Sequence, residues 1–110
     1  MPTRHETDET AIRRHIDKIV EGIRAKDLQA LERLYAPDVV SFDVEPPLQH
    51  VGVEAKAKNW ANVFGTVAKG MWVRATFGLR KIDGEWLIVH DQVSVPFDVR
   101  SGRGVTDLEP

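Results

Sequence analysis

The stretch that decides the fold runs Arg80-Lys81-Ile82-Asp83-Gly84-Glu85-Trp86-Leu87-Ile88-Val89-His90. Asp-Gly between apolar runs is the strongest short-range hairpin signal. Both central residues of the turn need a positive φ, which Asp tolerates and Gly adopts freely. The sequence therefore predicts strands over Met71 to Lys81 and Glu85 to Phe97, joined as an antiparallel pair.

Upstream of the hairpin the periodicity changes from two to 3.6. Ile12, Ile16, Ile19, Val20 and Ile23 fall on one face of a helix, and Arg13, Arg14, Asp17, Lys18, Glu21 and Arg24 on the other. Glu6, Asp8 and Glu9 crowd its start, where negative charge complements the helix dipole. Asp27 is a good N-cap for a second helix with Leu28, Leu31, Leu34 and Tyr35 on one face and Pro37 as its stop. After Gly52, the spacing of Val53, Ala57, Trp60, Ala61 and Phe64 gives a third helix, with Gly65 as its end. Between them, Val39 to Val44 reads as a strand and Leu48 to Val51 as a short return strand. Helices first and an antiparallel hairpin last imply an α+β domain. Its sheet is expected to curve around the first helix and bury Ile12, Ile16, Ile19 and Ile23. A single domain over 1–110 is expected, with loose tails at 1–7 and 99–110.

Composition removes several functions. With 110 residues and 42% hydrophobic content the chain builds one core, not two. The absence of cysteine excludes disulfides and thiolate-bound zinc. A net charge of −2, with basic residues scattered, argues against nucleic acid or a membrane surface as a partner. The longest apolar run, Trp86-Leu87-Ile88-Val89, is far short of the ~20 residues of a span, and the polar start is not a signal peptide. A cytoplasmic protein is the expectation. No phosphate-binding loop, zinc motif or nucleophile elbow is present, so no cofactor is expected, and Gly102 to Gly104 reads as a turn.

Two polar features stand in apolar strands. Asp43 lies in Val39-Val40-Ser41-Phe42-Asp43-Val44 and has two readings. It either faces a cavity, where desolvation tunes it for proton transfer, or faces solvent beside Ser41 while Val40, Phe42 and Val44 point inward. On the last strand, Trp86, Ile88, His90, Gln92 and Ser94 alternate with Leu87, Val89, Asp91, Val93 and Val95. The first set is either a pocket wall or a solvent stripe over an apolar core. Trp72, Arg74 and Thr76 share one face of the neighbouring strand; if it joins that of His90 and Gln92, Arg74 meets an anionic group of a ligand, and otherwise Arg74 is surface charge. A metal site from Asp43, His50 and His90 lacks diagnostic spacing, and none is expected. His5 and His15 read as solvated.

The phrases Ile23-Arg24-Ala25-Lys26-Asp27-Leu28-Gln29-Ala30-Leu31 and Leu34-Tyr35-Ala36-Pro37-Asp38-Val39, Gly52 before the third helix, and the closing hairpin with Ser94 carry a resemblance. Over residues 8 to 98 the chain resembles the SnoaL-like and ketosteroid-isomerase-like branch of the nuclear transport factor 2-like superfamily. The resemblance implies a cone-like curved antiparallel sheet wrapped around the N-terminal helices. It implies that Asp43, after Ala36-Pro37-Asp38, stands where the steroid isomerases keep their general base. Their oxyanion groups do not carry over: the tyrosine position on the first helix is Ile19, and Met71 to Phe77 holds no acid. Steroid isomerisation is therefore not expected, since oxyanion stabilisation is usually the largest catalytic effect.

Relatives also place two further strands before the closing hairpin, whereas only Gly65 to Gly70 separates Phe64 from Met71 here. The sheet is thus expected to be truncated, with Met71 to Lys81 as a bare apolar edge, a template for a second copy in a homo-oligomer. The resulting expectation is a small-molecule-binding or enzymatic protein. Its apolar pocket is lined by Ile16, Tyr35, Trp60, Trp72 and Trp86, with Gln92 and Ser94 on the wall. Asp43 transfers the proton, and His90 and Arg74 orient an apolar ligand. The alternative is a non-catalytic oligomerisation or protein-binding module using the shortened sheet.

Overall fold

The computed structural model describes residues 7–66 and 72–110. Helix α1 spans Asp8–Ala25, and the Thr7 hydroxyl caps it by accepting from the Thr10 backbone N–H. It ends at Lys26 in the left-handed region (φ 53°), whose N–H returns to the Gly22 and Ile23 carbonyls. Asp27 then caps α2, Leu28–Glu32, by accepting from the Ala30 N–H. The two helices approach closely at Gly22, where a Cβ would lie 2.8 Å from Leu31 Cδ2.

Pro37 does not end a helix. The chain leaves α2 earlier, and strand β1 covers Tyr35–Phe42, starting four residues before the expected Val39. Strand β2 is only His50–Val51. Gly52, at φ 92°, makes the turn into α3, Val53–Thr66. That helix runs through Gly65. The hairpin forms as expected: β3 (Arg74–Ile82) and β4 (Glu85–Ser94) pair antiparallel through Asp83 and Gly84, both at positive φ. Residues 67–71, which include Met71, lie outside the described residues. The expected loose tail is shaped over part of its length, where β5 (Phe97–Asp98) pairs with β6 (Arg103–Gly104).

The main sheet has the order β2-β1-β4-β3. It is antiparallel except at its centre, where β1 and β4 run parallel. No further strand joins this sheet among the described residues, so β3 is an edge.

The core consists of Ile19, Leu31, Leu34, Tyr35, Val39 and Ile88, with Val53, Trp60, Phe64, Phe77 and Leu79 packed against it. The first helix is covered less than its apolar face led us to expect. Only Ile19 of that face is buried, Ile12 and Ile16 are half-buried, and Ile23 is 36% exposed. Four strands present too narrow a surface to wrap α1, so the packing centre moves to α2, α3 and the β1–β4 pair.

Strand β4 contains a bulge that decides the site. Leu79 pairs with Ile88 but Gly78 pairs with His90, so Val89 is an extra residue. Before the bulge the even-numbered Ile88 faces the helices; after it the odd-numbered Asp91 does. Both are 0% exposed.

Candidate functional site

A buried cluster of charge lies between α3 and the helix-facing side of the sheet. Lys56 belongs there by helix geometry. It sits three residues after Val53 and four before Trp60, between two residues of the core-facing stripe. Its Nζ lies 2.9 Å from Asp43 Oδ2 and 3.0 Å from Asp91 Oδ2, and donates to Ser41 Oγ at 3.0 Å. The side chains of Lys56, Asp43 and Asp91 are 1%, 5% and 0% exposed. The ammonium also stands 5.0 Å from the Trp60 ring centroid and 5.7 Å from that of Tyr35.

Strand register brings the acids together. Ser41 and Asp91 are paired neighbours across the parallel β1–β4 ladder, and Asp43 follows two residues later on the same face as Ser41. Asp43 is tightly held. Its Oδ1 accepts from the Val44 N–H at 2.7 Å, and its Oδ2 accepts from Asn59 Nδ2 at 2.6 Å and from Lys56 Nζ. Burial pushes this carboxyl up. The Lys56 charge and the Lys56, Val44 and Asn59 hydrogen bonds outweigh that and hold it below the usual carboxylate range.

Asp91 is held differently. Its ion pair with Lys56 is short but not aligned as a hydrogen bond, and both its oxygens are buried without such a partner. Among the described residues the Tyr35 hydroxyl, Trp60 Nε1 and Asn59 Oδ1 are likewise buried without a well-aligned hydrogen bond. The Tyr35 hydroxyl stands close to Asp91 and Trp60. Its burial, and next the Asp91 charge, push its pKa far up and keep it protonated.

Proteins of solved structure share this architecture. A nuclear transport factor 2-like protein of unknown function from Pseudomonas putida is 25% identical, with a TM-score of 0.78 over 90% of this chain and 94% of that one. The family model for the SnoaL-like domain matches residues 55–98, from α3 to β5. The chain has the nuclear transport factor 2-like fold, and its residues 55–98 resemble the SnoaL-like domain. A ketosteroid isomerase-like protein from Erwinia carotovora atroseptica shares the fold, at 18% identity and a TM-score of 0.68 over 81% of this chain and 97% of that one. No curated protein matches the sequence.

The residues expected to form one site do not stay together. Asp43, Tyr35 and Trp60 come together around Lys56. His90 does not join them. It is exposed on the opposite face of the sheet, with its ring 5.7 Å from that of Phe42. Gln92, paired with Thr76, and Ser94, paired with Arg74, share that outer face, so an Arg74–His90 grip on an interior ligand is ruled out. The bulge at Val89 is the reason, because strict alternation had placed His90 with Ile88.

Trp72 is 57% exposed next to the β3 edge. Ile16 is half-buried on α1, and the Trp86 indole N–H reaches Asp8 Oδ1 at 3.4 Å. Trp86 lines a concavity of about 330 Å³ with His15, Lys18 and Arg33. That concavity adjoins one of about 430 Å³ between α1 and α2, and neither touches the charged cluster. The lining once expected from Ile16, Trp72 and Trp86 is therefore not one pocket with Asp43. His15, expected in solvent, is half-buried with Nε2 2.8 Å from the Leu34 carbonyl. His5 lies outside the described residues. Asp43, His50 and His90 do not gather; no group of three potential metal ligands exists among the described residues. Among those residues, no helix is long and apolar enough to cross a membrane.

Sequence reading missed Lys56, Asn59, Ser41 and Asp91. Lys56 left a visible signal, a charge at a core-facing position of α3. Asp91 left none, because its direction depends on a bulge.

Proposed function

We propose that this is a cytoplasmic protein that binds a small molecule within the SnoaL-like interior and moves a proton on it, with Asp43, Lys56 and Asp91 as the charged centre. The observation that supports this most is one buried ammonium held between two buried carboxylates, 2.9 and 3.0 Å away. Three such charges are a poor way to build a core, since apolar residues of similar volume are often neutral or stabilising in their place. The arrangement suits proton transfer. With both acids ionised the cluster carries a net charge of −1, and one added proton brings it to zero. A proton taken at Asp43 leaves the ammonium paired with Asp91, so no buried charge is left alone. Asp43 is the acceptor in this reading, and Lys56 holds the charge balance.

The test is deuterium exchange by NMR on ketones and β-keto esters with acidic C–H bonds, such as cyclohexanone and ethyl acetoacetate. We expect exchange above the buffer rate with the native protein and its loss with Asp43→Asn. Exchange equal in both, or absent across the panel, overturns the reading.

A second reading concerns assembly. Edge strand β3, with Trp72 57% and Val73 40% exposed beside it, favours pairing with a second copy of this chain. A light-scattering mass twice that of the chain supports it, and a monomer across micromolar concentrations overturns it.

A further inference from the structure

The concavity beside Trp86, away from the charged cluster, collects cations that the fold leaves unused. Arg14 and Lys18, one turn apart on α1, line it together with Arg33, the residue that ends α2. Against these three stands one carboxylate, Glu85. Arg14 is already engaged, but the side chains of Lys18 and Arg33 make no hydrogen bond or ion pair among the described residues. Nearby acids do not neutralise them. Asp27 and Glu21 line the neighbouring concavity, where Asp27 caps α2, and Asp8 beyond Trp86 holds Lys81 at 3.3 Å. In a chain of net charge −2 this excess of cations is a local feature, and a concave lining of one sign concentrates its field. The floor is firmly built. Leu34 is buried, and its carbonyl accepts from His15 Nε2 at 2.8 Å and from the Ile88 backbone N–H at 3.0 Å. One oxygen thus holds the helix that carries Lys18 and the strand next to Trp86 against the segment that carries Arg33.

We propose that this concavity binds a small phosphate monoester, with Lys18 and Arg33 on the phosphate and the body of the molecule against Trp86. A guanidinium can donate to two phosphate oxygens at once, and an ammonium adds a point charge. Together the two offset the roughly two negative charges of a phosphate monoester at neutral pH. A carboxylate brings one charge and is held less well. A neutral molecule of the same shape gains only its contact with the half-buried Trp86 ring. The volume of about 330 Å³ falls in the range of small-molecule sites. This site is separate from the Lys56 cluster and does not depend on the proton-transfer reading.

The experiment uses three probes of similar size: phenyl phosphate, benzoate and benzyl alcohol. Each is titrated at low salt into isotopically labelled protein, following the Trp86 indole N–H signal, assigned through Trp86→Phe. We expect a saturable shift with phenyl phosphate, affinity for benzoate weaker by roughly tenfold or more, and no saturation with benzyl alcohol. Lys18→Gln and Arg33→Gln, both at exposed positions, should each weaken phenyl phosphate by roughly tenfold. Arg13→Gln removes the same charge from the same helix, but Arg13 pairs with Glu9 and does not line the concavity, so it should leave that affinity unchanged. Equal weakening by all three variants would mean that the anion answers to overall charge, and the proposal falls. It falls also if benzoate binds as tightly as phenyl phosphate, or if no probe saturates the Trp86 signal. The ranking of probes on the native protein decides alone where a variant does not fold.

Discussion

Lys56 shows how one residue ties stability to chemistry. Replacing it with methionine leaves Asp43 and Asp91 facing each other without a counter-charge, and breaking a buried pair in this way costs about 3–5 kcal/mol. At about 4–8 °C per kcal/mol for a domain of this size, Lys56→Met should drop the melting temperature by well over 10 °C, read by circular dichroism. Replacing all three together (Lys56→Met, Asp43→Leu, Asp91→Leu) should recover most of that loss, because no buried charge remains. The acid limb of stability follows from Asp43. Its carboxyl is held below its unfolded value, so its contribution is complete above about pH 5, begins to fall near the unfolded value and is lost as pH falls through the folded value. The melting temperature should therefore be flat from neutrality to about pH 5 and decline below it, with a shallower decline in Asp43→Asn. At this scale the sequence was half legible. Asp43 stood out as a carboxylate in an apolar strand, and Lys56 occupied a core position of a helix. The buried Asp91 depended on backbone geometry that no residue type announces.

The elements themselves were easier to read, because each rests on local rules. Thr7 and Asp27 cap helices, Asp83-Gly84 turns a hairpin, and the apolar faces keep their periods. Boundaries failed where tertiary pairing overrode propensity. Tyr35 and Pro37 entered β1 because the Ile88 N–H donates to the Leu34 carbonyl, drawing the chain into the sheet early. The α1–α2 junction offers a test. A methyl group at Gly22 would lie 2.8 and 2.9 Å from buried Leu31 atoms. Overpacking costs about 1–3 kcal/mol against a helix-propensity gain of up to about 1, so Gly22→Ala should lower the melting temperature. The β4 bulge offers another. Deleting Val89 makes the β3–β4 ladder regular while Asp91 keeps facing the helices, so the deletion should cost less stability than Lys56→Met.

At the scale of the whole molecule, the α+β class and the nuclear transport factor 2-like fold were legible from order and phrase alone. The face on which each β4 residue stands was not. Nor was the small reach of the sheet over α1, since packing extent is a property of several elements at once. The exposed β3 edge leads to one measurable outcome: if it pairs with a second copy, dilution into the nanomolar range should lower both the scattering mass and the melting temperature together. The strand order carries a further consequence. The last long strand in the sequence, β4, lies in the interior of the sheet, between β1 and β3. While the chain is being synthesised, β1 has nothing beside it on that side, and Lys56 has met only one of its two acids. A chain halted at Gly84 lacks Ile88 and Asp91 and should remain unfolded and sticky. Synthesis thus supplies the keystone after every other strand of the sheet, and core and charged site close together only then.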